Sequence, residues 1–339
     1  MITLKHTLAS ALFATSLTAP GAFADSPLTE AFADYLGYCW SSPLNDLPVA
    51  EIQCFERLEN HSVRRLHSVM GPHGMHYGEE ILHWHSESDR IVTRYYNNQG
   101  GVVNSDGAIV DGAPVLFAYN DSGDVLQLRV HWGAVTGDQA TFVREQYLGE
   151  DYGGWNTEEP RTFTRMGPAS DFDDGPGSRY WRGSTVEAFE PLINSCWWAS
   201  FDDTDQVDIH CFNSLFGVHV RDRHIVAGDP DYTGETLFHS DPEGHLHFRY
   251  FNSIGGVSDG SGMPGEDDIV FGEETYTGPD GETRIFRGRY SNISFDGYHS
   301  VTEELIDGDW VVVADLQFTQ ADHNPFEPLP VPPPMPSTE

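Results

Sequence analysis

Lysine is almost absent from this sequence. Lys5 is the only lysine among 339 residues, so every later basic residue is arginine or histidine. A Schiff-base lysine, the lysine of a Walker phosphate-binding loop and a serine–lysine dyad are therefore excluded. Positive charge is scarce as well, because 18 Lys and Arg face 53 Asp and Glu, which gives a net charge of −35. Such an acidic surface repels nucleic acid and anionic lipid, so we expect no nucleic-acid partner.

Long hydrophobic runs are missing too. No segment beyond the N-terminal residues approaches the ~20 apolar residues of a membrane-spanning helix, so we expect no membrane insertion. The first residues carry a short basic start, an apolar stretch and a small-x-small cleavage site at Ala22-Phe23-Ala24. This pattern is typical of a secretory signal peptide over residues 1–24. The sequence thus predicts a mature protein that is periplasmic or secreted.

The four cysteines lie in two similar segments. CWSSPLNDLPVAEIQCF begins at Cys39, and CWWASFDDTDQVDIHCF begins at Cys196, 157 positions later. Pairing is expected in an oxidising compartment, and the repeated spacing favours Cys39–Cys54 and Cys196–Cys211 over cross-repeat pairing or free thiols. No CxxC spacing occurs, which disfavours a zinc site built on cysteine.

The repeat continues through the chain. VRRLHSV (63–69) matches VRDRHIV (220–226) at an offset of 157, and YGEEIL (77–82) matches YTGETL (232–237) at an offset of 155. The order is preserved while the offset changes little, which indicates one fold duplicated in tandem. The predicted boundaries are a signal peptide at 1–24, a first barrel at 25–167, a linker at 168–184, a second barrel at 185–322 and a proline-rich disordered tail at 323–339.

Both copies have the local pattern of β-strands. Segments such as IVTRYYN, HLHFRYFN and DWVVVADLQFT are rich in β-branched and aromatic residues, and turn formers separate them. A short helix is predicted before each copy, over residues 26–36 and 184–193, the second with a capping box from Ser184 to Glu187. Many antiparallel strands after one short helix are typical of a small barrel whose end the helix closes. The predicted class is all-β, with two tandem antiparallel β-barrels.

These features together resemble a known family. A short helix, a Cys-Trp pair, a Tyr-x-x-Glu strand and a Tyr-Tyr-Asn or Tyr-Phe-Asn strand before Gly-Gly are present in both copies. In this order they resemble the calycin-like, or lipocalin-like, β-barrels of uncharacterised secreted bacterial proteins. The resemblance implies a barrel with an interior cavity and does not define a ligand.

Alternation along the strands predicts which polar residues face the interior. Residues two apart share a face of a strand, so apolar neighbours at that spacing mark the buried side. His67 shares its face with Val63 and Val69, and His224 shares its face with Val220. The predicted ligand-binding residues are His67, Glu80, Tyr95 and Asn97 in the first copy and Asp222, His224, Glu235, Tyr250 and Asn252 in the second.

Buried polar groups of this kind allow three interpretations. They form a closed hydrogen-bonded network, they line a pocket for a small ligand, or a Glu–His pair acts as general acid and base. Asp222 lies two residues from His224, where it can orient the imidazole, whereas the first copy has Arg65 at that place. We therefore expect the second barrel to be the active one.

No metal and no cofactor is predicted. The two His-x-His pairs, His83 with His85 and His245 with His247, lack an assignable third ligand and are interpreted as surface or structural histidines. The segment DDTDQVD (202–208) is interpreted as an acidic turn. Residues 256–260 spell the nucleophile elbow GxSxG, but the surrounding sequence indicates strand and turn, where that motif needs a strand followed by a helix.

The favoured function is the binding of a small apolar or amphipathic ligand in one or both barrels of a secreted protein. One alternative is a lipocalin-like enzyme, an isomerase, hydratase or hydrolase that uses the inward Glu and His. Another is an envelope protein that contacts other proteins and holds no small ligand. Because duplicated domains commonly keep the contact of an ancestral dimer, we expect the two copies to pack as a pseudo-two-fold pair.

Overall fold

The chain folds almost entirely into antiparallel β-strands. A computed structural model describes residues 25–44, 50–58, 61–71, 74–119, 126–149, 154–169, 187–201, 204–228, 232–322 and 324–326. The predicted signal peptide, most of the predicted linker and nearly all of the predicted tail lie outside these ranges. Within them the strands form two closed barrels in tandem, which confirms the predicted all-β class.

The first barrel is a ring of ten strands. Its elements are α1 (Pro27–Ala31), β1 (Tyr38–Pro43), β2 (Ala50–Leu58), β3 (Ser62–Gly71), β4 (Gly74–His85), β5 (Arg90–Asn97), β6 (Val102–Val110), β7 (Ala113–Tyr119), β8 (Leu126–Thr136), β9 (Gln139–Tyr147), β10 (Trp155–Thr157) and β11 (Arg161–Pro168). Neighbouring strands pair in order from β1 to β9, β9 pairs with β11, and β11 returns to β1. The short β10 pairs with the far end of β9.

The second barrel repeats this ring with strands that follow one another in order. They are β12 (Ser195–Ser200), β13 (Val207–Leu215), β14 (His219–Ala227), β15 (Tyr232–Ser240), β16 (Leu246–Asn252), β17 (Val257–Pro264), β18 (Ile269–Thr277), β19 (Thr283–Ser294), β20 (Gly297–Ile306) and β21 (Asp309–Gln320). Pairing of β12 with β21 closes the ring.

A short helical segment closes one end of each barrel. In α1, Ser26 caps the N-terminus, and the fully buried Phe32 packs on Phe55 with ring centroids 5.3 Å apart. The described residues before the second barrel contain a single 3₁₀ turn, Glu187–Phe189, in place of the predicted helix. Pro191 explains the difference, because it disfavours the α conformation at the residue before it and cannot donate a helical hydrogen bond.

Both predicted disulfides are confirmed. Cys39 lies directly opposite Cys54 on β1 and β2, and Cys196 lies opposite Cys211 on β12 and β13. Each bond closes a loop of 15 residues. Such a loop contributes about 3 kcal/mol of stability by restricting the unfolded chain. Disulfides at equivalent positions in both barrels also indicate an oxidising compartment.

Buried charges join the outer faces of the two barrels. Arg64 pairs with Glu79 (3.0 Å) and with Glu235 (2.5 Å), while Arg221 pairs with Glu235 (3.1 Å) and with Glu79. All four residues are buried, and we call them the charge ring. An apolar cluster with members from both barrels accompanies the ring and contains Ile81, Tyr96, Leu215, Leu237, Phe251 and Val257.

The charge ring corrects the predicted position of Glu235. The strand pairs place Gly78 opposite His67 and Gly234 opposite His224, so β4 and β15 correspond at an offset of 156. The match of YGEEIL with YTGETL implies an offset of 155, and a shift of one residue reverses the face of every side chain in a strand. Glu235 therefore faces the first barrel instead of the interior of its own.

Candidate functional site

The interior of the second barrel contains a compact group of acids and histidines. Alternation along β13 and β14 turns Asp208, His210, Asp222 and His224 inward, together with core residues such as Phe212. His210 and His224 lie directly opposite each other on the two strands. We call these four polar residues the Asp–His cluster.

Three side chains of the cluster converge on one point. Asp208 Oδ1 lies 2.7 Å from His224 Nε2 and 3.4 Å from His210 Nε2. The two imidazoles stack nearly parallel, with centroids 4.4 Å apart. The three ligand atoms lie within 4.8 Å of one another, so these residues could together hold a metal ion.

Further polar groups hold the two imidazoles in place. His210 Nδ1 lies 2.6 Å from Asp222 Oδ2, and His224 Nδ1 lies 3.4 Å from the hydroxyl of Tyr250. That hydroxyl is 2.5 Å from the hydroxyl of Tyr232. A side chain at Gly234 would collide with the ring of Tyr250, so the glycine leaves the space that this ring fills.

Charge interactions within the cluster are strong. Burial alone raises the pKa of Asp208, but the facing imidazoles of His224 and His210 outweigh it and hold this pKa below its usual range. Burial opposes a charge on His210, yet the carboxylates of Asp222 and Asp208 raise its pKa to about 10. Burial raises the pKa of Tyr250, so its hydroxyl keeps its proton.

Several polar atoms of this interior lack a hydrogen bond. Among the described residues, Asp208 Oδ1 and His224 Nε2 pair with each other at 2.7 Å, whereas the buried Asp222 Oδ1 has no hydrogen-bond partner. The buried hydroxyl of Tyr298 is in the same condition. An unsatisfied buried polar atom is costly, and a bound water molecule or ion is one way to satisfy it.

The equivalent place in the first barrel is fully paired. Glu51, Gln53, Arg65 and His67 stand where the second barrel has Asp208, His210, Asp222 and His224. Arg161 donates to Glu51, and Gln53 donates to the other oxygen of Glu51 at 2.6 Å. Although burial raises the pKa of Glu51, His67 and Arg161 lower it to about 2. We call Glu51, Gln53, Arg65, His67 and Arg161 the Glu–Arg cluster.

The other predicted residues of the first copy belong to this network or to a turn. Glu80 faces inward and binds Arg65 (2.9 Å) and Thr93 (2.8 Å). The Tyr95 hydroxyl lies 3.0 Å from His67. Asn97 instead accepts hydrogen bonds from backbone amides of the following turn, as Asn252 does from Gly256. A ligand-binding role for these residues stays a prediction.

Asp208 and His210 are the members of the site that sequence reasoning missed. Both lie in the second cysteine segment, in DIHCF. Asp208, His210 and the core residue Phe212 alternate along β13, and this spacing was a usable signal for their inward face. The run of acidic residues before it predicts a turn that includes Asp208, whereas β13 already begins at Val207.

The remaining motifs lie outside the cluster. His83 is buried and bonds Ser62, while Asp241 contacts both His245 (3.0 Å) and His247 (3.1 Å) near the surface. The GxSxG segment continues into strand β17 and has no helix after it. A cavity in the first barrel, beside Trp132, has a volume of about 10 Å³, room for a single water molecule.

Comparisons with known proteins add little to this picture. No protein-family model matches the chain, and no curated protein matches it. A solved structure of a protein of unknown function from the DUF3598 family of Nostoc punctiforme is 15% identical, with a TM-score of 0.20, over 86% of this chain and 98% of that one. A TM-score this low supports no argument.

The fold and the site define an all-β protein of two closed barrels, with a polar cluster that contains arginines inside the first and one of acids and histidines inside the second. Membership of the calycin-like barrels stays a prediction. Among the residues that the structure describes, no helix has the length and apolar composition to cross a membrane.

Proposed function

We propose that this is a binding protein whose second barrel holds a small polar ligand, an ion or a small molecule, at the Asp–His cluster. The observation that carries the proposal is the contrast between the barrels. In the first barrel an arginine pairs with the buried acid Glu51, whereas the equivalent Asp208 of the second barrel faces the two imidazoles of His224 and His210. The first barrel then serves as a structural partner.

A polar ligand fits this interior better than the apolar or amphipathic one expected from the sequence. Aromatic side chains fill much of the second barrel, among them Phe212, Phe238, Phe248 and Phe318. A pocket for a larger apolar molecule needs several hundred Å³, roughly 300 or more. The apolar ligand, like the enzyme and the envelope partner, stays an untested prediction.

Two further expectations belong to the proposal. Secretion or export to the periplasm is supported by the two disulfides. A pseudo-two-fold packing of the barrels is supported by the charge ring, because Arg64 reaches Glu235 while the equivalent Arg221 reaches Glu79. Reciprocal contacts of this kind characterise isologous interfaces.

Native mass spectrometry tests the binding function directly. The full chain should be produced in an oxidising compartment and purified without denaturation. Its mass under native conditions should exceed its mass under denaturing conditions by the mass of the ligand. Replacing His224 by Ala should remove the difference, because His224 contributes one of the converging atoms. His67→Ala is the matched control and should leave the difference intact, since His67 is the equivalent residue of the first barrel.

Two outcomes would contradict the proposal. Equal native and denatured masses in the unmodified protein would mean that the second barrel holds nothing. Loss of the ligand in His67→Ala but not in His224→Ala would place the site in the first barrel. Circular dichroism of each variant shows whether a lost ligand reflects a lost fold.

A further inference from the structure

The donor atoms of the Asp–His cluster match one class of ligand. Two imidazole nitrogens and one carboxylate oxygen form a mixed nitrogen and oxygen set that suits zinc, iron, manganese and similar divalent ions. Calcium and magnesium prefer sites made of oxygen alone. The four cysteines are all in disulfides, so thiolate ligands are not available.

The spacing of these atoms suits a shared ion. Ligands at about 2.1 Å from a metal lie about 3 Å from one another when they occupy neighbouring coordination positions. Asp208 Oδ1 is 2.7 Å from one imidazole nitrogen and 3.4 Å from the other. The three atoms also lie within 4.8 Å of one another, close enough to share one ion.

Charge balance points the same way. In the first barrel the carboxylates of Glu51 and Glu80 are matched by the guanidinium groups of Arg65 and Arg161. At the positions of Arg65 and Arg161 the second barrel has Asp222 and Leu316. Thr236 stands at the position of Glu80, so at these positions the carboxylates and guanidinium groups sum to zero in the first interior and to −2 in the second, before the imidazoles are counted.

We infer that the ligand of the second barrel is one divalent transition-metal ion, bound by Oδ1 of Asp208 and by Nε2 of His210 and His224. This inference rests on the proposed binding function and names the chemical class of its ligand. In the first barrel the guanidinium of Arg161 lies beside Glu51, the counterpart of Asp208, and supplies the positive charge that the ion supplies in the second barrel. The chain therefore binds one ion and not two.

Surrounding residues prepare the two imidazoles for this role. Asp222 accepts a hydrogen bond from His210 Nδ1, which fixes the orientation of the ring, and an ion that binds Nε2 displaces the proton there. The Tyr250 hydroxyl, backed by Tyr232, lies near the corresponding nitrogen of His224. Three protein ligands leave at least one coordination position for water or another small ligand, which is typical of catalytic and exchangeable sites.

Elemental analysis of the purified protein tests the inference. The full chain should be produced without a histidine tag, purified without chelators and measured by inductively coupled plasma mass spectrometry. We expect one transition-metal ion per chain. After removal of that ion, added Co²⁺ should restore one ion per chain and give visible absorption bands of nitrogen and oxygen coordination.

Two variants introduce into the second barrel the residue that the first barrel has at the equivalent position. His210→Gln introduces the residue found at Gln53, and Leu316→Arg introduces the guanidinium found at Arg161. Both should abolish Co²⁺ binding and its absorption bands. Asp222→Asn, which changes only the orienting acid, should weaken binding about 10- to 100-fold. His67→Gln, the matched control in the first barrel, should leave Co²⁺ binding and its absorption bands unchanged.

The outcomes separate this inference from the proposed function. An organic ligand in native mass spectrometry, without metal, would overturn the metal site and leave the binding function standing. A protein with neither metal nor organic ligand would overturn both. A metal ion that persists in folded His210→Gln and is lost when His245 and His247 are both replaced by Ala would place the ion at the surface pair and also overturn the inference.

Discussion

Replacing Glu235 by Ala should destabilise the protein severely without removing its ligand. In the structure Glu235 lies in the charge ring, where its two oxygens bind Arg64 (2.5 Å) and Arg221 (3.1 Å). Burial raises the pKa of Glu235, but Arg64 and Arg221 outweigh this effect and lower it, so the side chain is charged at neutral pH. Without it, two buried arginines share the single carboxylate of Glu79 within the ring.

The expected size follows from the burial of the ring. Glu79 is 1% exposed and the other three members are 8% exposed, so little solvent screens the unmatched charge. Removing one partner of a buried ion pair costs about 3–5 kcal/mol. That is a large part of the total stability of an ordinary protein, about 5–15 kcal/mol.

Urea denaturation followed by tryptophan fluorescence measures this loss. If the barrels unfold in separate steps, the free energies of the two transitions are added. The control is Asp106→Ala, which breaks the exposed ion pair between Asp106 and Arg90. An exposed pair contributes at most about 1 kcal/mol, so this variant should remain close to the unmodified protein.

Two results would refute the reasoning. A loss in Glu235→Ala no larger than in Asp106→Ala would show that the buried contact between the barrels does not form in solution. Unchanged stability together with loss of the bound ligand would restore the position that the sequence suggested, with Glu235 facing the interior of the second barrel.

Three further predictions concern other parts of the molecule. Replacing Cys196 and Cys211 together by Ser should cost about 3 kcal/mol in urea denaturation, and no loss would mean that the bond is absent. Burial raises the pKa of Glu274 to about 7 from its ordinary 4.5, so the folded state binds more protons between these values. Stability should therefore fall as the pH rises through that window, and Glu274→Gln should flatten the fall in thermal melting. Identical pH profiles of the melting temperature in Glu274→Gln and in the unmodified protein would contradict this prediction. Solution scattering should show one compact pair of barrels, and a variable, elongated particle would count against the pseudo-two-fold packing.

Much of the fold could be predicted because its signals are local or repeated. Alternation and turn residues indicated strands, and the duplicated cysteine spacing indicated both disulfides. In the second helical segment, the described residues form only a 3₁₀ turn, because Pro191 disfavours the α conformation before it. The relative position of the barrels depends on side chains far apart in sequence, such as Arg64 and Glu235, and no local pattern contains that information.

Some residues of the candidate site can be predicted from a single strand, whereas others depend on how neighbouring strands pair. His224 was identified from its apolar neighbours, and its interior position requires only the alternation of one strand. Glu235 was misplaced because a gap of one residue between the copies is invisible in a short alignment yet reverses the side of a strand. His210 becomes significant only beside His224, and that proximity is set by the pairing of β13 with β14.

Arg161 and Leu316 show what a single chain with two barrels makes possible. In a symmetric dimer of identical subunits, every substitution appears twice, so an arginine that neutralises one interior neutralises the other as well. Here the two barrels are encoded separately, and the arginine stands in one alone. Gene duplication followed by fusion thus lets one half specialise in stability while the other keeps a buried cluster of acids and histidines that a symmetric pair would have to carry in both halves.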